Sequence, residues 1–166
     1  MAIKDSLLPE FDHEMGSTRR LLERVPHGDF AWRPHEKSFT MGELAAHIAN
    51  LPNWAVLTCE QTIFELDAIA EQARPTVPAT SIELLQRFDA NVQAARRKID
   101  EQTDAALVAP WTLKQGGHEM FTMPRVAVLR SFVMNHLIHH RGQMTVYLRL
   151  RNIPLPSIYG PTADEG

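Results

Sequence analysis

The sequence predicts an all-α protein: a four-helix bundle with long crossover loops and a small hairpin before the last helix. Four long segments repeat apolar residues at helical spacing, the pattern of helices that each bury one face. Two of the four open on capping boxes, and proline-containing connections lie between them. With 166 residues, the chain fits one domain, residues 1–166, around one substantial core.

The first helix is predicted over residues 3–24. Apolar residues recur there at helical spacing between Glu and Arg residues, and Pro26 and Gly28 end the pattern. The next segment, residues 29–38, contains aromatic residues and a proline without any period. We therefore expect an ordered crossing loop between the first two helices.

A capping box opens the second helix. The Thr40 hydroxyl is placed to accept from the third helical N–H while Glu43 reaches back to the cap. This box fixes where the helix starts, and therefore the direction in which His47, about two turns later, points from the helix. Pro52 is expected to interrupt the helix, which then continues over residues 54–66.

Residues 74–79 are predicted to form a non-helical linker because they contain prolines. A second capping box, from Thr80 to Glu83, opens the third helix, which runs to about residue 102. Two short runs, 111–114 and 118–121, then flank Gln115-Gly116-Gly117. That arrangement indicates a short hairpin.

The fourth helix is predicted from about Pro124 to Arg151, with the proline in its first turn, where a missing N–H costs nothing. Its apolar residues keep helical spacing as far as Leu148. The following stretch, residues 152–161, is rich in proline yet apolar. A disordered tail would be more polar, so we expect this stretch to fold back onto the bundle.

The fourth helix carries a pair of histidines four residues apart. At about 100° per residue, His136 and His140 point within roughly 40° of each other, one turn apart on one face. Two imidazole nitrogens can therefore reach one metal ion. The same face continues as a polar strip, since Gln143 and Tyr147 return to within about 20° of His136. The competing interpretation of the pair is a solvated helix face.

A catalytic divalent metal usually takes three protein ligands and keeps one open position. His47 is a third candidate, because it lies among apolar residues on the expected inward face of the second helix. The competing interpretation is a core histidine satisfied by a hydrogen bond. Glu43, one turn before it, is placed to hold the ring tautomer, although capping alone explains this residue.

Composition limits the classes of partner that the protein can bind and the cellular compartment in which it is expected. A net charge of −3 and the lack of a Lys/Arg cluster argue against nucleic acid. No segment approaches the roughly 20 apolar residues that span a bilayer, and the start of the chain lacks a signal-peptide core. The single cysteine, Cys59, agrees with a reducing compartment and is expected to be a buried apolar residue. We therefore expect a cytoplasmic protein without a membrane partner.

Several of these motifs together resemble the DinB-like superfamily of metal-binding four-helix bundles. The matching residues are His47 early in the second helix, the run 136–143, Tyr147-Leu148-Arg149 and the closing residues 154–161. The likeness covers nearly the whole chain and includes Trp32-Arg33-Pro34 in the first loop.

The resemblance implies one divalent metal ion per chain, nickel or zinc, held by His47, His136 and His140 with waters completing the sphere. His139 lies about 60° round the helix from His136, and the family pattern favours His140 over it. Members of the superfamily often pair through helix faces, so a homodimer is expected.

The superfamily includes thiol S-transferases that use low-molecular-weight thiols, together with a related maleylpyruvate isomerase. The resemblance therefore implies metal-dependent transfer of a small-molecule thiol to a small electrophile, in detoxification or stress. Gln143 or Tyr147 would be the catalytic residue that orients substrate or water. Arg141 would be structural or anion-binding.

Two alternatives stay open. One is a metal-binding module without turnover, which acts in the stress response through its dimer or its metal. The other is a metal-dependent hydrolase, which needs a general base near the attacking water, and Glu43 is its candidate. A site closed by a fourth protein ligand would favour storage or structure, whereas a pocket beside the ion would favour transfer.

Overall fold

The computed structural model describes residues 1–67 and 76–165. The long helices of these ranges are α1 (Ile3–Leu22), α2 (Met41–Asn50) with α3 (Asn53–Glu60) after it, α4 (Ser81–Asp100) and a last helix over residues 125–150. A short helix, α5 (Asp104–Val108), and one 3₁₀ turn (His27–Asp29) lie in the connections.

The long helices pack as a closed bundle. Helix α4 contacts α1, α2 and α3, while the C-terminal part of the last helix contacts α1 and α2. The apolar stripes meet in a common core, where Phe11, Phe88 and Leu137 are almost fully buried. Burial of these stripes drives the packing, and the predicted all-α bundle is confirmed.

The caps of α2 and α4 show how the chain enters these helices. The Thr40 Oγ1 accepts from the Glu43 N–H at 3.1 Å, and a Glu43 carboxylate oxygen accepts from the Thr40 N–H at 2.7 Å. The predicted first capping box is therefore confirmed. At α4 the Thr80 hydroxyl accepts from Glu83 as predicted, but the Glu83 carboxylate reaches the N–H of Ala79 instead of the cap residue.

The predicted helix over residues 54–66 is wrong in its second half. Pro52 interrupts the helix as expected, and α3 ends at Glu60. Residues Ile63–Glu65 then form strand β1. The reason is tertiary: β1 pairs with a strand almost 50 residues later, with Phe64 opposite Leu113.

A three-stranded sheet lies beside the bundle, in the order β1, β2 (Pro110–Gln115), β3 (His118–Pro124). Strands β1 and β2 are parallel, and β2 and β3 form the predicted hairpin. Gly116 and Gly117 make its turn with φ of 58° and 76°, a conformation that glycine adopts without strain. Phe64, Trp111, Leu113 and Val128 form a second, smaller core under the sheet.

The last helix differs from the single α-helix predicted over 124–151. Strand β3 continues to Pro124, so the proline precedes the helix and does not lie in its first turn. The helix consists of α6 (Arg125–Val128), a π-helical stretch (Leu129–Asn135) and α7 (His136–Leu150). Apolar residues three and four positions apart indicate a helix but do not distinguish α-helical from π-helical turns. The pattern therefore predicted one regular α-helix.

The C-terminal stretch folds back onto the bundle as predicted. Ile153, Leu155 and Ile158 pack against the main core, and Asp164 bonds to Arg149 on α7. Residues 76–79 of the predicted linker are not helical, while Arg74 and Pro75 lie outside the described residues. No helix within 1–67 or 76–165 is long and apolar enough to cross a membrane.

Candidate metal centre

Helices α2 and α7 bring three histidines to one point. His47 lies in the second turn of α2, His136 is the first residue of α7, and His140 follows one turn later. The Nε2 atom of His136 lies 3.4 Å from Nε2 of His47 and 2.9 Å from Nε2 of His140. All three ligand atoms lie within 4.8 Å of one another.

These separations suit a single metal ion. Imidazole nitrogens bind zinc at about 2.0–2.1 Å, so two neighbouring ligand nitrogens on one ion lie roughly 2.8–3.0 Å apart in octahedral geometry and roughly 3.3–3.4 Å apart in tetrahedral geometry. The two measured Nε2 separations of 2.9 and 3.4 Å fall close to these ranges. The three histidines could therefore hold one ion without large rearrangement.

Hydrogen bonds on the far side of two rings fix their tautomers. The Gln143 side-chain oxygen lies 2.7 Å from Nδ1 of His140, and because it can only accept, that nitrogen carries the proton. The His136 ring hydrogen-bonds to the Phe132 carbonyl, while its Nε2 faces the other two rings. Lone pairs on Nε2 therefore converge at the centre of the cluster, which favours a cation there.

Burial keeps the three rings neutral. The pKa of His47 is lowered from 6.5 to about 4, mainly by desolvation and to a smaller extent by the neighbouring His140 and His136. Desolvation also lowers the pKa of His136 and of His140, although the bond to Gln143 opposes the shift at His140. At neutral pH no proton has to leave before a metal binds, so the cluster is prepared as a ligand set.

A cleft of about 280 Å³ opens beside the cluster. Its lining comes from α7 and from the loop before α2: Lys37, Ser38, Phe39, His140, Gln143 and Tyr147. The Tyr147 hydroxyl donates to the Phe39 carbonyl at 3.1 Å, which fastens the loop to α7. Gln143 and Tyr147, the two residues predicted to orient substrate or water, thus both border the cleft.

Only three side chains of the His, Cys, Asp and Glu types meet at this point within residues 1–67 and 76–165. His139 is exposed, outside the cluster, with its ring 4.9 Å from that of His140. Cys59, predicted to be buried, is half-buried, and desolvation raises the pKa of its thiol to about 11, so the thiol is unreactive at neutral pH. The carboxylate of Glu43 takes part in the cap of α2.

Arg141 follows His140 in sequence, but its side chain lies in the core and contacts residues outside the histidine cluster. Its side chain is 2% exposed and forms an ion pair with Glu14 at 2.7 Å. It also donates to the Tyr159 hydroxyl at 2.6 Å, and that hydroxyl donates in turn to the Glu14 carboxylate. Of the two roles predicted for Arg141, structural or anion-binding, these contacts support the structural one.

Sequence reasoning missed two parts of this site. It assigned Gln143 to substrate and overlooked that a residue three positions after His140 can hold the ring. It also overlooked residues 37–39, whose place beside α7 depends on the path of a loop without any period. The Gln143 bond could have been found from spacing, but the loop could not.

Comparison with known proteins places the chain among relatives of the same fold. The sequence model of the DinB family matches residues 1–165. The uncharacterized protein YrdA of Bacillus subtilis is 28% identical over 163 residues, 97% of this chain and 90% of that protein.

Two solved structures share the fold. One is a DinB-like protein from Bacillus cereus, with a TM-score of 0.75, 22% identity and coverage of 95% of this chain and 98% of that one. The other is a DinB-like protein from Bacillus subtilis, with a TM-score of 0.71, 19% identity and coverage of 93% and 99%. The resemblance predicted from the motifs is thus confirmed, and the chain belongs to the DinB family.

Proposed function

We propose that this protein binds one divalent ion, nickel or zinc, through His47, His136 and His140 and transfers a low-molecular-weight thiol to a small electrophile. The observation that supports this best is the combination of three neutral imidazoles with a cleft directly beside one of them. A site built for storage or structure would be closed by a fourth protein ligand. The described part of the chain supplies three.

The chemistry follows from the neutrality of the ligands. A divalent ion on three neutral imidazoles keeps its full double charge and lowers the pKa of a thiol or water that binds it. In the transfer, the sulfur forms a bond to an electrophilic carbon, and the bond from that carbon to its leaving group breaks. The leaving group departs with the electron pair, and the thiol proton goes to solvent.

The side chains around the cleft have distinct parts in this scheme. Gln143 holds the ring of His140 through Nδ1 and so keeps Nε2 turned to the cluster. Tyr147 fixes the loop that carries Phe39, a residue that is 52% exposed and lines the cleft, where it offers an apolar surface to the electrophile. These residues orient the two reactants, which is the main protein contribution to a bimolecular transfer.

Hydrolysis has less support. It requires a general base within reach of the attacking water, and no carboxylate lines the described cleft. Glu43, the predicted base, is exposed and uses its carboxylate at the Thr40 cap.

The homodimer that the family resemblance implies stays a prediction.

The test is a thiol-transfer assay on protein loaded with nickel or zinc. We expect the parent to accelerate thioether formation between a small thiol and 1-chloro-2,4-dinitrobenzene beyond the rate with the free ion. His47→Ala should lose the acceleration, while Tyr147→Phe should retain the metal and react several-fold more slowly. His118→Ala, on an exposed strand residue, is the control. Full metal occupancy without acceleration for any thiol or electrophile tried would disprove transfer.

A further inference from the structure

We propose that the cleft beside the three histidines takes a small ligand bearing a carboxylate, and that Lys37 is the residue that recognises it. This inference deepens the proposed thiol transfer, on which it rests, by naming the chemical class of one reactant. It is derived from the charges and hydrogen-bonding groups that line the cleft.

The charge of the cleft is one-sided. Lys37 is exposed on the loop before α2, and its ammonium forms no ion pair with any residue of 1–67 or 76–165. By contrast, Lys4 and Lys98 are both paired with carboxylates. Since the cleft lining includes no acidic side chain, a bound divalent ion would add to the positive charge of Lys37.

The polar groups of the cleft are mostly donors. Gln143 accepts from His140 with its oxygen, so its NH₂ group is left to donate elsewhere. Ser38 contributes a hydroxyl, which can donate one hydrogen bond to a ligand. A ligand that supplies acceptor oxygens and negative charge therefore complements the cleft.

The size and charge of the cleft favour a carboxylate over a larger anion. About 280 Å³ lies near the lower end of small-molecule sites, which excludes bulky ligands such as dinucleotides. One lysine supplies a single point charge, whereas phosphate sites generally combine an Arg fork or a helix N-terminus with several donors. The apolar face of Phe39 would cover the body of the ligand.

The experiment compares matched thiols on nickel-loaded protein. Titration of 3-mercaptopropionate and 3-mercaptopropionamide is followed through the thiolate-to-nickel absorption band. We expect the parent to bind the carboxylate about two- to fivefold more tightly, the range for an exposed charge pair. Lys37→Gln should remove this preference, and 0.5 M salt should weaken it in the parent. Lys114→Gln, on strand β2 outside the cleft lining, is the matched control and should keep it.

The carboxylate can belong to the thiol or to the acceptor, and a second arm distinguishes the two. The rates of reaction with iodoacetate and iodoacetamide are compared at a fixed concentration of uncharged thiol, for the parent and both lysine variants. If Lys37 is needed for the preference in the thiol titration, the carboxylate belongs to the thiol. If Lys37 is needed for the preference for iodoacetate over iodoacetamide, the carboxylate belongs to the acceptor. If Lys37→Gln changes neither preference, the inference is overturned.

Failure of the proposed transfer gives a different result. In that case metal-loaded protein does not accelerate thioether formation, whichever thiol or electrophile is supplied. Calorimetric titration of the same two thiols still measures whether the carboxylate form binds more tightly in a Lys37-dependent way. Equal affinities there, or a preference unchanged in Lys37→Gln, overturn the carboxylate site independently.

Discussion

The lowered pKa of His47 links metal binding to stability. In the folded, metal-free protein its pKa is about 4, mainly because burial disfavours the imidazolium, whereas the unfolded chain has the ordinary value of 6.5. Between these values the unfolded state binds more protons than the folded state. The free energy of unfolding must therefore fall as the pH decreases from about 6.5 toward 4.

We predict that the free energy of unfolding of the metal-free protein falls by about 1–2 kcal/mol between pH 7 and pH 4.5 because of His47, after allowance for solvent screening of this partly exposed ring. His47→Gln removes the titrating group, so its free energy of unfolding should depend less on pH over this interval. Urea denaturation of both proteins in the presence of a chelator measures the difference. His118→Gln is the control and should follow the parent. Parallel pH profiles for the parent and His47→Gln would contradict the prediction.

At the residue scale, the sequence predicted the three-histidine cluster better than its surroundings. The spacing of His136 and His140 on one helix is a local property, so it could be read from the chain. The convergence of His47 with this pair depends on how α2 packs against α7, and the family resemblance supplied it. Glu14 could not have been identified as the partner of Arg141, because the two residues are 127 positions apart.

At the scale of elements, the start of α2 fixes the position of His47. Thr40 caps the helix through the reciprocal bonds with Glu43. The first turn of α2 approaches two other segments closely: a Cβ at Gly42 would lie 2.8 Å from the side chain of Val77, which precedes α4, and 3.1 Å from the carbonyl of Phe30 in the loop before α2. The helix therefore enters the bundle with little freedom to shift along its axis.

We predict that Thr40→Ala costs about 1 kcal/mol of stability and also weakens metal binding, because fraying of the first turn of α2 loosens the support of His47. Thr80→Ala is the matched control. It removes the same kind of cap from α4, which carries no ligand, so it should lower stability without a change in metal affinity. Thermal unfolding and a competitive zinc titration measure the two effects. Equal metal affinities of both variants would contradict the proposed coupling.

Strand β1 and the π-helical stretch are two elements that the local spacing of apolar residues does not predict. Residues Ile63–Glu65 form a strand only because Thr112, Leu113 and Lys114 lie alongside them. Three residues are too few to show a period, and the preceding helical pattern was extrapolated across them. The long helices α1 and α4 were predicted well, since each has an apolar stripe of several turns and clear end signals.

At the scale of the whole molecule, a polar network that is buried at Glu14 and Arg141 and reaches the exposed Tyr159 joins three separate parts of the chain. Glu14 lies on α1, Arg141 on α7 and Tyr159 on the C-terminal stretch. Arg141 also donates to the Glu14 carbonyl at 3.1 Å and to the Thr18 hydroxyl at 3.3 Å. Arg141 thus occupies a position on the buried stripe of α7, between Leu137 and Met144, with nearly all its donors satisfied.

We predict that Arg141→Ala lowers the free energy of unfolding by about 3–5 kcal/mol, because it leaves the carboxylate of Glu14 buried without its charged partner. The double variant Glu14→Leu with Arg141→Met should be more stable than Arg141→Ala, since it removes both buried charges. Urea denaturation gives the values. A loss below about 1 kcal/mol for Arg141→Ala would show that the network is not structural.

The decisive measurement is the metal content of untagged protein by mass spectrometry, for the parent, His47→Ala, His140→Ala and the control His139→Ala. We predict about one nickel or zinc ion per chain in the parent and in His139→Ala, whose altered residue lies outside the cluster. His47→Ala and His140→Ala should remain folded and lose the ion. A parent that takes up neither metal, or a His47→Ala variant that keeps its ion, would contradict the three-histidine site.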